Sequence, residues 1–249
     1  MNDLIDNTPY KMPQQSGDEP TGESPWRVRF NSIYRKLRDQ ITLLEYPPGK
    51  QLDLDQLAKG FGVSRTPIRT VLQRLEQEGL VTTRHGVGTI VNDIDFEGLR
   101  DVADLRMHLA KLIGTLSPNK PRPNMENELN DLITRLKRLQ NETDLVEFAK
   151  IDLALHKNIS QLIGNTMLRR TYSEMYYRNA RMWFFLLPQL DWQMEISAFT
   201  ESMTLVRNAI VQGDVAAVGY ITRNANSNVV YRINNLLNLN YEIAQTPNK

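Results

Sequence analysis

Phe30, Ile33, Leu37, Ile41 and Leu44 recur at steps of three and four along the chain, and the run stops at Tyr46-Pro47-Pro48-Gly49. That period predicts one amphipathic helix over about 27–45. A second, short helix is expected from Asp53, an N-cap residue, with Leu54, Leu57, Ala58 and Phe61 on one side and Gly62 as its left-handed stop. After Val63, Ser64 opens a third helix with Pro67 in its first turn, an apolar stripe of Ile68, Val71, Leu72 and Leu75, and Gly79 at its end. Leu80–Thr83 and Thr89–Val91 then read as two short strands around the tip Arg84-His85-Gly86-Val87-Gly88.

From Asp95 onward helical periodicity takes over. Six helices are expected at about 96–116, 124–140, 144–163, 166–187, 192–212 and 215–239, punctuated by Pro118, Pro121, Pro123, Gly164-Asn165, Pro188 and Gly213-Asp214. Short connections between such helices favour antiparallel packing in a bundle. Residues 1–24 carry no apolar period and are expected to be a disordered tail, and residues 241–249 a C-terminal tail. The fold class expected is mostly α. An N-terminal winged helix-turn-helix over 25–92, three helices plus a small β-hairpin, precedes an all-α antiparallel bundle over 93–240.

Composition narrows the function classes. With 249 residues, 41% apolar and 24% charged, the chain is in the ordinary globular range. No stretch approaches the roughly 20 apolar residues of a membrane span, and Met1–Asp6 lacks the basic and apolar segments of a signal peptide, so a soluble, cytoplasmic protein is expected with no membrane partner. The absence of cysteine excludes disulfide scaffolds, thiolate metal sites and thiol catalysis. A net charge of +1 hides an uneven distribution, with net −4 over residues 1–24, +5 over 25–92 and zero over the remainder. A basic block of domain size is the electrostatic footprint of a nucleic-acid module, because phosphate contacts supply most non-specific affinity.

Two helices joined by a short glycine-containing turn, with basic residues opening the second and a hairpin after it, form a winged helix-turn-helix pattern. Arginine suits such a position because its two parallel donors match O6 and N7 of guanine. The candidate DNA-contacting set is Arg65, Thr66, Arg69, Thr70 and Arg74 on the second helix of the motif, with His85 and Gly86 at the wing tip. Arg74 lies a turn or more further along, within reach of phosphate or only of water. In the bundle, Asp152 and His156 are four residues apart and so share a helical face. The aromatic cluster Tyr172, Tyr176, Tyr177, Trp183, Phe184 and Phe185 reads as packing material, whereas Arg106, Arg178 and Arg181 would each need an anion if buried.

These residues carry a resemblance to the GntR transcriptional regulators, in the FadR-like subgroup with an FCD-type C-terminal domain. It rests on Tyr46-Pro47-Pro48-Gly49, Leu57-Ala58, Val63-Ser64-Arg65-Thr66-Pro67-Ile68-Arg69, Leu72-Gln73-Arg74-Leu75-Glu76, Gly79-Leu80-Val81 and Gly86-Val87-Gly88. Weaker echoes are Leu105-Arg106, Asp152-Leu153-Ala154-Leu155-His156, Ile163-Gly164-Asn165, and Ala209-Ile210 before Gly213-Asp214. The resemblance implies a homodimeric repressor or activator that binds a palindromic double-stranded operator and whose bundle takes a small effector, an organic acid or related metabolite. Asp152 and His156, on the resemblance, and Arg106 and Arg181, as arginines that would need an anion if buried in the bundle, form the candidate effector-binding set.

The family often holds a divalent metal through an Asp-x-x-x-His pair and two later histidines. Asp152 and His156 match the pair, but the later positions fall at Met203 and Ala225, with Asn224 and Asn226 as neighbours of the latter. No cofactor is fixed by this pattern. An effector bound without metal, and a weakly held divalent ion completed by Asn and water, both remain open. An enzyme built on Asp152 and His156 lacks a phosphate-cradling loop, a nucleophile elbow and a third metal ligand, so no enzymatic activity is expected. A DNA-binding protein that senses no effector is the other alternative.

Overall fold

The computed structural model describes residues 24–245. The expected 1–24 tail lies, but for Ser24, outside the described residues, as do the last four residues of the chain. Among the described residues the elements run α1 (Pro25–Thr42), β1 (Gln51–Leu52), α2 (Leu54–Phe61), α3 (Arg65–Gln77), β2 (Val81–Arg84), β3 (Gly88–Val91), α4 (Phe96–Ala110), α5 (Met125–Arg138), α6 (Leu145–Gln161) and α7 (Thr166–Leu186). A single 3-10 turn at Leu187–Gln189 follows, then α8 (Trp192–Val211) and α9 (Val215–Gln245).

Local chemistry explains most boundaries. The Asp53 carboxylate accepts from the backbone N–H groups of Asp55 and Gln56 at 2.7 and 2.9 Å, satisfying the first turn of α2, and Gly62 ends that helix at φ 60°. Ser64 stands at the N-cap of α3 in an extended conformation, but its side chain makes no capping bond, in contrast to the sequence expectation. Asp144, Asn165 and Asp191 cap α6, α7 and α8. The sheet has three antiparallel strands in the order β1-β3-β2, with Val81 opposite Val91 and Gln51 opposite Ile90. β1 was not anticipated, since two residues are too few for a period to show.

Among the described residues two large apolar cores form, with a third, smaller cluster of Met182, Leu186 and Ile233. One gathers Ile33, Leu37 and Ile41 of α1 with Leu57 of α2, Ile68, Val71 and Leu75 of α3, and Val81 and Val91 of the hairpin. The other fills the bundle with Met125, Leu129, Leu136, Phe148, Ile151, Ile196, Met203 and Val218. The helix expected over 96–116 stops at Ala110 and continues as turns, because α9 crosses there at close range. The far end of α9 runs on to Gln245, beyond the expected end near 239 and into the segment read as a tail.

That crossing depends on glycine. A Cβ at Gly114 would fall on the backbone of Val215 and Ala216, and one at Gly219 would lie 2.6 Å from the Ala110 carbonyl oxygen. Gly114→Ala is therefore expected to destabilise the fold by about 1–3 kcal/mol through overpacking, read as a lower denaturation midpoint. A midpoint unchanged from the parent would show that the α4–α9 crossing yields freely.

Candidate nucleic-acid interface and ligand cavity

The first turn of α3 faces solvent. Arg65, Thr66 and Arg69 are exposed, and Arg65 holds Asp55 of α2 through its Nη2, 2.8 Å from Oδ2. Both partners are about two-thirds exposed, so the pair is cheap to exchange for another anion. Arg69 borders a shallow groove with Asp53, Gln73 and Thr83. Thr70 donates back to the Thr66 carbonyl at 3.2 Å and so spends its hydroxyl on its own helix. Arg74 is drawn away from this surface, with its guanidinium 3.6 Å from the centre of the Tyr34 ring and its Nε 3.3 Å from Glu78. It differs in this from the other candidates.

At the wing, Arg84 and His85 are exposed and Gly86 and Gly88 adopt φ of 74° and 104°, a backbone that side-chain-bearing residues rarely take. The Gln51 side chain on β1 donates to the Val87 carbonyl and props the tip from behind. Gln51 was invisible to sequence reasoning because its partner is 36 residues away.

Within the bundle, α4, α6, α7, α8 and α9 enclose a cavity of about 250 Å³. Leu155, Ile159, Phe199, Val206, Ile221 and Val229 supply apolar wall, and Arg106, Asp152, His156, Tyr172, Tyr176 and Asn226 supply polar wall. Sequence reasoning assigned Tyr172 and Tyr176 to packing. Both are buried, yet both also line the cavity. The Tyr176 hydroxyl donates to Asp152 at 2.7 Å, and its ring stacks on His156 with centroids 3.7 Å apart. The Arg106 guanidinium lies 5.0 and 5.7 Å from the centres of the Tyr176 and Tyr172 rings.

Burial raises the Asp152 pKa to about 6, against the opposing effects of the Tyr176 hydrogen bond and the Arg106 charge. Burial also pushes the His156 pKa well below its usual value, and the nearby Arg106, Arg38 and Lys157 charges push it the same way, so the ring is neutral at pH 7.

A metal does not fit this donor set. Asp152 is engaged by Tyr176, and His156 Nε2 lies 3.2 Å from the Ser160 hydroxyl. Met203 is fully buried in the apolar core and Ala225 offers no donor. Among the described residues, no three of His, Cys, Asp and Glu converge. Two ligands fall short of the three or four a divalent transition-metal site requires.

Arg181, grouped with the effector residues on sequence grounds, does not line the cavity. It is buried at the junction between the two cores and donates to the Asn92 carbonyl at 2.6 Å, with burial lowering its pKa to about 10. Its neighbours on α7 act alike. Arg178 Nε donates to the Glu78 carbonyl at 3.1 Å, and the Tyr177 hydroxyl accepts from Arg38 of α1 at 2.7 Å while its ring lies 3.5 Å from the Arg38 guanidinium. Arg38 also reaches the Tyr34 hydroxyl at 3.1 Å, and that hydroxyl donates to Glu78 at the end of α3. One helix thus borders the cavity with Tyr172 and Tyr176 and holds the winged unit with Tyr177, Arg178 and Arg181.

These features define a winged helix-turn-helix protein with a hollow helical bundle attached. The model of the bacterial regulatory proteins of the gntR family matches residues 30–91, and that of the FCD domain matches residues 101–226. The chain belongs to the GntR family, in its FCD-domain branch.

A regulator from Streptomyces ambofaciens, described as an uncharacterized HTH-type transcriptional regulator in an unstable DNA locus, is 37% identical over 141 residues, 56% of this chain and 58% of its own length. The HTH-type regulator YdhC of Bacillus subtilis is 28% identical over 156 residues, 61% of this chain and 66% of its own. The matches thus span somewhat under two-thirds of both relatives. The solved structure of E. coli McbR/YncC superposes with a TM-score of 0.69 at 18% identity, covering 85% of this chain and 98% of that one, a likeness of fold. Among the described residues no helix is long and apolar enough to cross a membrane.

The two buried titrating groups act in opposite senses. Asp152, with its folded pKa raised, contributes stability that is complete below its unfolded value near 4 and is lost as pH rises through about 6. His156, with its folded pKa lowered, makes the fold less stable as pH falls below its ordinary value. Asp152→Asn keeps an acceptor for Tyr176, so its stability relative to the parent should rise between pH 4 and 6 by on the order of 3 kcal/mol. Parallel stability–pH curves for the two proteins would contradict this.

Proposed function

We propose that the chain is a homodimeric, sequence-specific DNA-binding transcriptional regulator whose bundle cavity binds a small organic acid that changes operator affinity. The observation that carries this reading is the placement of α7, one face on the cavity and the other on the winged unit, within a family of regulatory proteins. In this reading Arg65, Thr66 and Arg69 enter the major groove from the first turn of α3, and His85 and Gly86 approach the neighbouring minor groove. A dimer supplies two such heads to the halves of a palindromic operator, since one head spans too few base pairs for genomic specificity. Arg106, with Asp152 and His156, lines the effector site, and Arg181 serves the junction instead.

Effector binding can alter operator affinity only if it favours one placement of the winged units over another. Tyr176 touches the cavity and its neighbour Tyr177 grips Arg38, so a shift of α7 is passed to Tyr34 and to Glu78 at the end of the recognition helix. An operator selected from random duplexes with the purified protein provides the assay.

Arg69→Ala should weaken selected-operator binding by about 1–3 kcal/mol while changing random-duplex binding much less. Equal losses on both duplexes would reduce Arg69 to a phosphate contact. Arg38→Met should leave effector-induced thermal stabilisation in place but abolish the effector's influence on operator affinity. An undiminished influence would place the coupling elsewhere.

A further inference from the structure

Resting on the reading of the cavity as an effector site, we propose that it takes a monocarboxylate with a compact apolar body, held by Arg106 without any metal ion. Arg106 and Arg232 are the two arginines lining the cavity. Arg232 is already matched, because its Nε and Nη2 both hold Glu195, the latter at 2.8 Å, and Glu195 is only 1% exposed. Arg106 makes no such pair. Its guanidinium lies against the Tyr172 and Tyr176 rings and donates to Tyr172, and Asp152, the carboxylate that feels its charge, is turned to the Tyr176 hydroxyl. A half-buried cation without an ion-paired carboxylate is a site for an anion that brings its own, and a guanidinium holds a carboxylate in a two-point fork.

The surroundings suit the same group. His156, 5% exposed, has no partner for Nδ1. The Ser160 hydroxyl lies 3.2 Å from His156 Nε2 and 3.4 Å from Ser173, so Nε2 is engaged and Nδ1 is the ring nitrogen left without a partner. His156 Nδ1 is thus a polar atom open to a ligand beside the Arg106 charge.

The lining also includes Leu155, Ile159, Phe199, Val206, Ile221 and Val229, together with Asn179, Ser202 and Thr222, and Ala225 stands where the family resemblance expects a histidine. A second carboxylate on the ligand would meet an arginine already paired and the carboxylate of Glu201. At about 250 Å³ the cavity is at the small end of the range for ligand pockets, which suits a compact molecule.

The test is thermal unfolding and calorimetric titration of the full chain with sodium octanoate, octan-1-ol, suberate and citrate, each in EDTA and in Zn²⁺. Octanoate should raise the melting temperature equally in both buffers, octan-1-ol should bind at least about tenfold more weakly, and suberate and citrate should produce no shift. Arg106→Gln should weaken octanoate about tenfold or more without lowering the melting temperature of the ligand-free protein. The octanoate-to-octanol ratio in the parent protein tests the same grip should that variant fail to fold. Octanoate binding lost in EDTA, or octan-1-ol binding as tightly as octanoate, would overturn the proposal. A shift with citrate and Zn²⁺ but none with octanoate would overturn it and leave the effector reading standing, whereas silence from every probe in both buffers would overturn both.

Discussion

The grip of Tyr177 on Arg38 is the interaction on which the arrangement of the molecule turns. A guanidinium held face-on to an aromatic ring and bonded to its hydroxyl is directional as well as attractive, so it fixes orientation more firmly than apolar contact alone. Arg178 and Arg181 extend the grip along the same face of α7, both onto backbone carbonyls. Carbonyls at Glu78 and Asn92 flank the hairpin, so the wing and the end of α3 are held at one seam.

The other face of α7 closes the cavity, and the physical character of the two faces differs. Toward the winged unit the helix presents cations. Toward the cavity it presents Tyr172 and Tyr176, whose hydroxyls and rings surround Asp152, His156 and Arg106. Burial of these groups with few mutual ion pairs leaves the cavity wall electrostatically unfinished, in contrast to Glu195 and Arg232, which complete one another.

Helix periods, Asp53, Gly62 and the glycines of the wing made the N-terminal unit legible before any coordinates, because each acts within a few residues of itself. The same holds for the order of the bundle helices. Asp152 and His156 were recognisable by spacing as a pair on one helical face, and Met203 and Ala225 stood out as departures only against the family pattern. Chain order and local periodicity therefore determined the class of fold, and the motifs from Tyr46 to Gly88 carried the resemblance to the family.

What tertiary structure decided is where charged side chains end their paths. Arg74 and Arg181 look in sequence like Arg69 and Arg106, yet one folds back onto Tyr34 and Glu78 and the other onto a carbonyl 89 residues away. Tyr172 and Tyr176 are core by burial and cavity by position, and Gln51 gains a role only when β1 meets the wing. The end of α4 at Ala110 likewise follows from the crossing of α9 more than a hundred residues later. Periodicity reports which face of a helix is apolar, but a long polar side chain can reach any of several partners, and which one it meets depends on contacts between segments distant in the chain.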